Sequence, residues 1–213
     1  IPGIQKELNE SIPQVLQIYF NLAETFDNYD FFTVLKLLVK YFGESLVQLA
    51  PTFVETIYNL FLSTNKSIAT SNLITKTLDE FLEQLSKSID PEPAKQLYDH
   101  ILSLIVKSIQ ANQLDLSMLL SVIQLTSNII ELSPCITSNY WEIEMLYLDL
   151  VMTIIDISYF TQITDAIFNG LNTIVISDKQ TAVQQQTVTV ILAKSQEIIQ
   201  LLLESHDCGS ILS

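Results

Sequence analysis

Few side chains in this sequence are placed to do chemistry. His100 follows Asp99, a pairing that in principle supplies a general base and an orienting carboxylate. No cluster of further polar groups surrounds it in sequence, so it reads as a surface or hydrogen-bonded histidine. His206, Asp207 and Cys208 could donate to a metal. One histidine and one cysteine without a second cluster fall short of a zinc site, and this stretch reads as a flexible tail. The chain has neither a glycine-rich phosphate loop nor a GxSxG motif. The expectation is a protein that is not an enzyme and needs no cofactor or metal.

The remaining candidates are charged or aromatic groups suited to binding. Asp79, Glu80 and Glu83 lie with Lys76 and Lys87 at helical spacing. One reading is a solvated face with Glu83 and Lys87 as an i,i+4 pair. The other is a surface that binds a partner, and the same two readings apply to Glu142 and Glu144. Trp141 could anchor a partner, but its register with Met145 and Leu148 points to packing.

Helices must position these groups. In the stretch Asp30 to Ser63, the residues Phe31, Val34, Leu35, Leu38, Val39 and Phe42 recur at steps of three and four and predict one helix face. Gly43 is expected to close that helix in the left-handed conformation. Pro51 suits the first turn of the next helix, whose stripe is Phe53, Ile57, Leu60 and Phe61. The same unit recurs. Ser11 is expected to cap a first helix running to Phe26, and Asp30 the second, which runs to Phe42. Further helices are expected over Ile68–Ser88, from Asp90-Pro91-Glu92 through Ile109, and over Leu114–Leu132. Three more are expected, one beginning at Thr137 or Ser138, one over Ser158–Ile174 and one over Gln180–Leu203.

Odd-numbered helices begin near Ile12, Pro51, Pro91, Thr137 and Gln180, a period of about 40–47 residues as in HEAT or armadillo arrays. The expected fold is all-α. It is an α-solenoid, a HEAT-like superhelix of about four and a half antiparallel helix pairs, over 11–203. Residues 1–10 form a lead-in and 204–213 a flexible tail.

Composition excludes several classes. The 213 residues are 48% hydrophobic with only four glycines, which argues against disorder. The prolines fall outside the middles of the helical stripes. Net charge is −14, and all ten basic residues are lysine. Without arginine there is no planar fork for phosphate or guanine, and the overall field repels nucleic acid. Such a field suits a basic protein partner or serves simple solubility. Two cysteines, Cys135 and Cys208, are too few for a disulfide scaffold, so a reduced, intracellular setting is expected. The amino-terminal stretch has no signal-peptide pattern, and the most apolar stretch is interrupted by Asp149 and Asp156, so no membrane insertion is expected.

Three stretches carry a resemblance. Tyr41-Phe42-Gly43-Glu44 with Ala50-Pro51 forms a corner of aromatic, acid, apolar link and proline. Pro134, Ile136 and Trp141 form a step in which a tryptophan opens a helix after a Ser-Pro break. YFTQITDAIFNGL follows as an aromatic-led helix. In these the chain resembles the importin-β superfamily of nuclear transport receptors, most of all the importin-7/importin-8 group, over Ser11 to Leu203. Ser45 departs from that pattern, which has a second acid there. The family's long acidic insertion has no counterpart in the short loop Ser63 to Ser67.

The resemblance implies an interior segment of a longer receptor that shuttles between nucleus and cytoplasm through the pore. It implies basic protein cargo and nucleoporin phenylalanine-glycine repeats as partners, the latter in grooves between outer helices. Ran GTPase contacts would lie in parts of the receptor outside this segment. Even-numbered helices would be the inner ones, placing Asp79, Glu80 and Glu83 on the concave side, and Glu142 and Glu144 are carried as partner-binding candidates with them. The alternative is a HEAT-repeat scaffold subunit of another intracellular complex. A segment of this kind should expose apolar surface near Val15–Phe26 and Val183–Leu203 and self-associate.

Overall fold

The computed structural model describes residues 2–63, 67–133, 138–151, 161–165, 167–169, 189, 192–200 and 203–204. Every described element is helical. The chain runs through α1 (Pro2–Thr25), α2 (Tyr29–Phe42), a 3-10 helix (Gly43–Leu49), α3 (Ala50–Phe61), α4 (Ile68–Ser88), α5 (Pro91–Gln110), α6 (Leu116–Leu132) and α7 (Ser138–Val151). Helical turns at 161–165, 167–169 and 192–200 fall inside the expected eighth and ninth helices. The rest of those two spans, Cys135, and the tail with His206, Asp207 and Cys208 lie outside the described residues.

The helices of the pairs α1/α2, α3/α4 and α5/α6 pack antiparallel, and the rows alternate. α2, α4 and α6 pack in succession, as do α1, α3, α5 and α7. The pairs α1/α2, α3/α4 and α5/α6 join the two rows, and α4 is covered by α2, α3, α5 and α6. Side chains stitch the succession at a regular interval. The backbone N–H of Ser67 donates to Asp27 at 2.9 Å and Asn139 Nδ2 donates to Asp99 at 2.9 Å, each pair 40 residues apart. One apolar core runs through all seven helices, with Phe32, Phe61, Phe81, Ile101, Leu125 and Leu148 among its buried members.

Most of the sequence stripes pack as expected. Phe53, Ile57, Leu60 and Phe61 are buried, as are Leu73, Ile74, Leu78, Phe81, Leu82 and Leu85. Phe53 links the rows by stacking on Phe20 at 5.6 Å and on Phe81 at 4.3 Å between ring centroids. In α2 the buried line is Phe32, Leu35 and Val39, while Val34 is exposed. Two aromatic residues stand side by side at 31 and 32, so periodicity alone left the face open to a rotation of about 100°.

Several ends differ from the expected ones. The lead-in is helical: α1 begins at Pro2, Ser11 lies within it, and Pro13 is inside the helix. A proline in a helix removes one N–H bond and crowds the preceding turn, yet the residues on both sides of Pro13 keep helical conformation. Asn28, not Asp30, caps α2, its side chain accepting the Asp30 N–H at 2.9 Å. Gly43 is right-handed, at φ −53° and ψ −39°, and opens the 3-10 helix. Its role is close approach: a Cβ there would meet Gln84 Cβ of α4 at 2.8 Å. The left-handed residue is Asn112, at φ 53°, after α5. There Asn112 N–H donates to Ile109 C=O and Gln113 N–H to Ser108 C=O, the paired bonds of a Schellman motif. Asp90 stands at the α5 N-cap without a side-chain cap bond, leaving Pro91 and Glu92 as the start signals.

Candidate functional site

Asp79, Glu80 and Glu83 share one face of α4 with Lys76, because 76, 79, 80 and 83 are three, four and seven residues apart. Stacking of α2, α4 and α6 places Lys36 of α2 on one side of that face and Asn128 and Glu131 of α6 on the other. Together these residues and Leu132 line an open groove of about 340 Å³. Asp79 and Glu80 are half-buried and Glu83 is exposed. Burial pushes the Asp79 carboxyl up from its usual range, opposed by a hydrogen bond from Asn128 and by the charges of Lys36 and Lys76. Its Oδ1 is buried with no hydrogen-bond partner among the described residues. Glu80 accepts from Gln84 Nε2 at 3.2 Å, and Glu83 pairs with Lys87 at 2.9 Å, as the i,i+4 reading expected. The groove can hold a positively charged group beside carboxylates that keep only partial neutralisation.

The other two acids part company. Glu142 is exposed on α7, in the other row, and accepts from Gln110 Nε2 of α5 at 3.0 Å. Glu144 is not on a charged face at all. It is 2% exposed, in the core, where Tyr140 OH donates to its Oε1 at 2.5 Å and its Oε2 has no partner among the described residues. Burial pushes its carboxyl up to about 8. Tyr147, one turn on, is also buried and shares a 2.9 Å hydrogen bond with Thr126 Oγ1 of α6. Nearby Tyr58 shares a 2.6 Å bond with Ser108 Oγ. The signal for this buried polar group was in the sequence: Tyr140, Glu144 and Tyr147 step by four and three, in register with Ile143 and Leu148. Two acids two residues apart on a helix point in different directions, so Glu142 and Glu144 could not both face a partner.

The odd row carries a second, larger groove, about 460 Å³, between α3 and α5. Val47, Pro51, Ile89, Pro93 and Leu97 make it apolar, and Glu55 and His100 form one end. His100 Nε2 lies 3.1 Å from Glu55 Oε1, and the ring is about two-thirds covered. Sequence inspection missed this groove because its walls come from the 3-10 helix, α3 and α5 together. Trp141 is half-buried against the core, edge-to-face with Tyr140 at 5.4 Å. Among the described residues no group of three or more His, Cys, Asp or Glu side chains could hold a metal ion, and no helix is long and apolar enough to cross a membrane.

No protein-family model matches the chain, and no curated protein matches it in sequence.

Proposed function

We propose that this chain is an α-solenoid segment of a karyopherin-type nuclear transport receptor, and that it binds basic protein cargo in the groove across α2, α4 and α6. The observation that carries the reading is the alignment of Asp79, Glu80, Glu83 and Glu131 along one open groove of the even row. The alternation of rows and the tie at a 40-residue interval support a HEAT-like array, since each helix touches only near neighbours along the stack. The apolar groove between α3 and α5 lies on the opposite row, where the resemblance expects nucleoporin phenylalanine side chains to insert. Cargo capture then works in two steps. The field of a chain with net charge −14 draws in a basic surface, and contacts in the groove hold it. Shuttling between nucleus and cytoplasm, and Ran contacts elsewhere in a longer receptor, belong to the same proposal.

The test is recovery of bound proteins from nuclear extract at low salt and at about 0.3 M salt, where exposed charges are largely screened. An immobilised phenylalanine-glycine repeat runs alongside. Basic proteins held only at low salt, lost from an Asp79→Lys/Glu80→Lys/Glu83→Lys variant, with binding to the repeat, are the expected result. A single salt-resistant enzyme subunit and no repeat binding would replace the receptor by a HEAT-repeat scaffold.

A further inference from the structure

The buried polar groups around α7 form hydrogen bonds whose proton directions the structure fixes. Thr126 Oγ1 donates to Val122 C=O at 2.9 Å, so the Tyr147–Thr126 bond takes its proton from the tyrosine. Ser108 Oγ donates to Ile105 C=O at 2.8 Å, so the Tyr58–Ser108 bond takes the tyrosine proton in the same way. A hydroxyl has one hydrogen to give. Tyr58 and Tyr147 therefore have none left for Glu144, although Tyr147 stands close enough to feel its charge. Tyr140 OH alone donates to the carboxyl, on Oε1, and Oε2 has no partner among the described residues.

That arrangement suits a carboxylic acid and fails a carboxylate. An ionised carboxylate has about four acceptor sites to fill, and here one donor reaches it. Tyr140 and Tyr147 face Glu144 from α7 itself, and Tyr58 of α3 stands behind Tyr147. On α7 Glu142 is exposed and Asp149 pairs with Lys194. The charged groups of α5 are engaged elsewhere or in water: Asp99 accepts from Asn139, His100 pairs with Glu55, Lys95 lies by Glu92, and Lys107 is exposed. On α6 Asp115 caps the helix and Glu131 lines the acidic groove. No cation therefore offsets a negative charge on Glu144 among the described residues, and an uncompensated buried charge drives its own exposure. The element that can give way is α7, which among the described helices packs chiefly on α5. We propose that Glu144 is a proton-operated latch: its protonated carboxyl lets α7 dock on α5, and loss of that proton to solvent frees α7 while the stack from α1 to α6 stays folded. This device does not depend on the receptor reading.

In the docked helix the carboxyl keeps its proton up to a pH of about 8. Once α7 opens, the group meets water and is ionised above the ordinary carboxyl range. Opening releases one proton, so it becomes about tenfold more favourable for each pH unit between those limits. Amide hydrogen exchange of the full chain, with each rate divided by the intrinsic rate at that pH, tests this. Protection of α7 should fall about tenfold per unit between about pH 5.5 and 7.5 and level off above about pH 8. Local openings of α1 leave Glu144 buried, so protection there should not change over the same range. α4 should stay better protected than α7 at every pH, and Glu144→Gln should abolish the pH dependence of α7 with helical circular dichroism unchanged. Protection of α7 in the native chain that does not change with pH overturns the proposal, whether or not the variant folds. Equal protection of α7 and α4, falling together, would mean that the whole chain opens and overturns it too, as does a fall that persists in the folded Glu144→Gln chain.

Discussion

Glu144 is the residue whose chemistry most depends on where the fold puts it. A carboxyl held in the core at a pKa of about 8 is protonated at neutral pH in the folded chain and ionised in the unfolded one. The folded state therefore binds the extra proton. Its stability contribution is fully present below the ordinary carboxyl range and is lost as pH rises towards about 8. Glutamine at this position keeps an acceptor for Tyr140 OH and removes the ionisation. Glu144→Gln should stabilise the chain by about 2 kcal/mol or more at pH 8, with little effect near pH 4, as read by urea unfolding across pH. An equal effect at both pH values would show that the carboxyl does not titrate in this way. Asp115 works in the other direction. It caps α6 by accepting the Met118 N–H at 2.8 Å, and this bond holds its carboxyl below the usual range.

At the scale of elements, the corner between α2 and α3 is set by contact rather than by handedness. Gly43 has ordinary right-handed dihedrals, where alanine in open space would stabilise the chain by narrowing its unfolded ensemble. Here a Cβ would stand 2.8 Å from Gln84 Cβ, close to the α4 backbone, so the 3-10 helix or α4 must shift. Gly43→Ala should cost about 1–3 kcal/mol in thermal or urea unfolding. A neutral or stabilising result would mean that the two elements have room to separate. The corner after α5 uses the other device. Asn112 takes the left-handed conformation there, a residue that tolerates it better than most. The two corners look alike as short polar or small-residue breaks, and only one of them needs a positive φ.

For the whole molecule, alternation of rows makes stability uneven. α4 is enclosed by four neighbouring helices and the 3-10 helix, while α1 is covered by α2, α3 and the 3-10 helix. Buried hydroxyls in α4, such as Thr77 donating to Leu73 C=O at 2.8 Å, are satisfied within the helix and let it pack on all sides. Native-state hydrogen exchange should find the strongest protection in α4 and markedly weaker protection in α1, whose outer positions open without disrupting the rest. Uniform protection through both helices would contradict this ordering and imply one cooperative unit. The acidic groove is also a whole-molecule feature, since Lys36, Glu83 and Glu131 come from three helices.

What the sequence determined by itself was set by short-range physics. Apolar residues at steps of three and four and prolines in first turns fixed the helices from α2 to α6, and the start of α7, to within a few residues. The recurrence of starts fixed their pairing order. The α4 charged face was legible because helix geometry alone gathers Lys76, Asp79, Glu80 and Glu83. Tertiary structure decided the rest. Which of Phe31 and Phe32 enters the core depends on the helix that α2 meets. Gly43 is required by an α4 side chain some forty positions away. Glu144 and Glu142 share a charge and a neighbourhood in sequence, yet packing of α7 against its neighbours buries one and leaves the other in water. Periodicity states that a helix has an apolar side; only the neighbouring helices determine how far that side extends, and so which polar groups it takes with it.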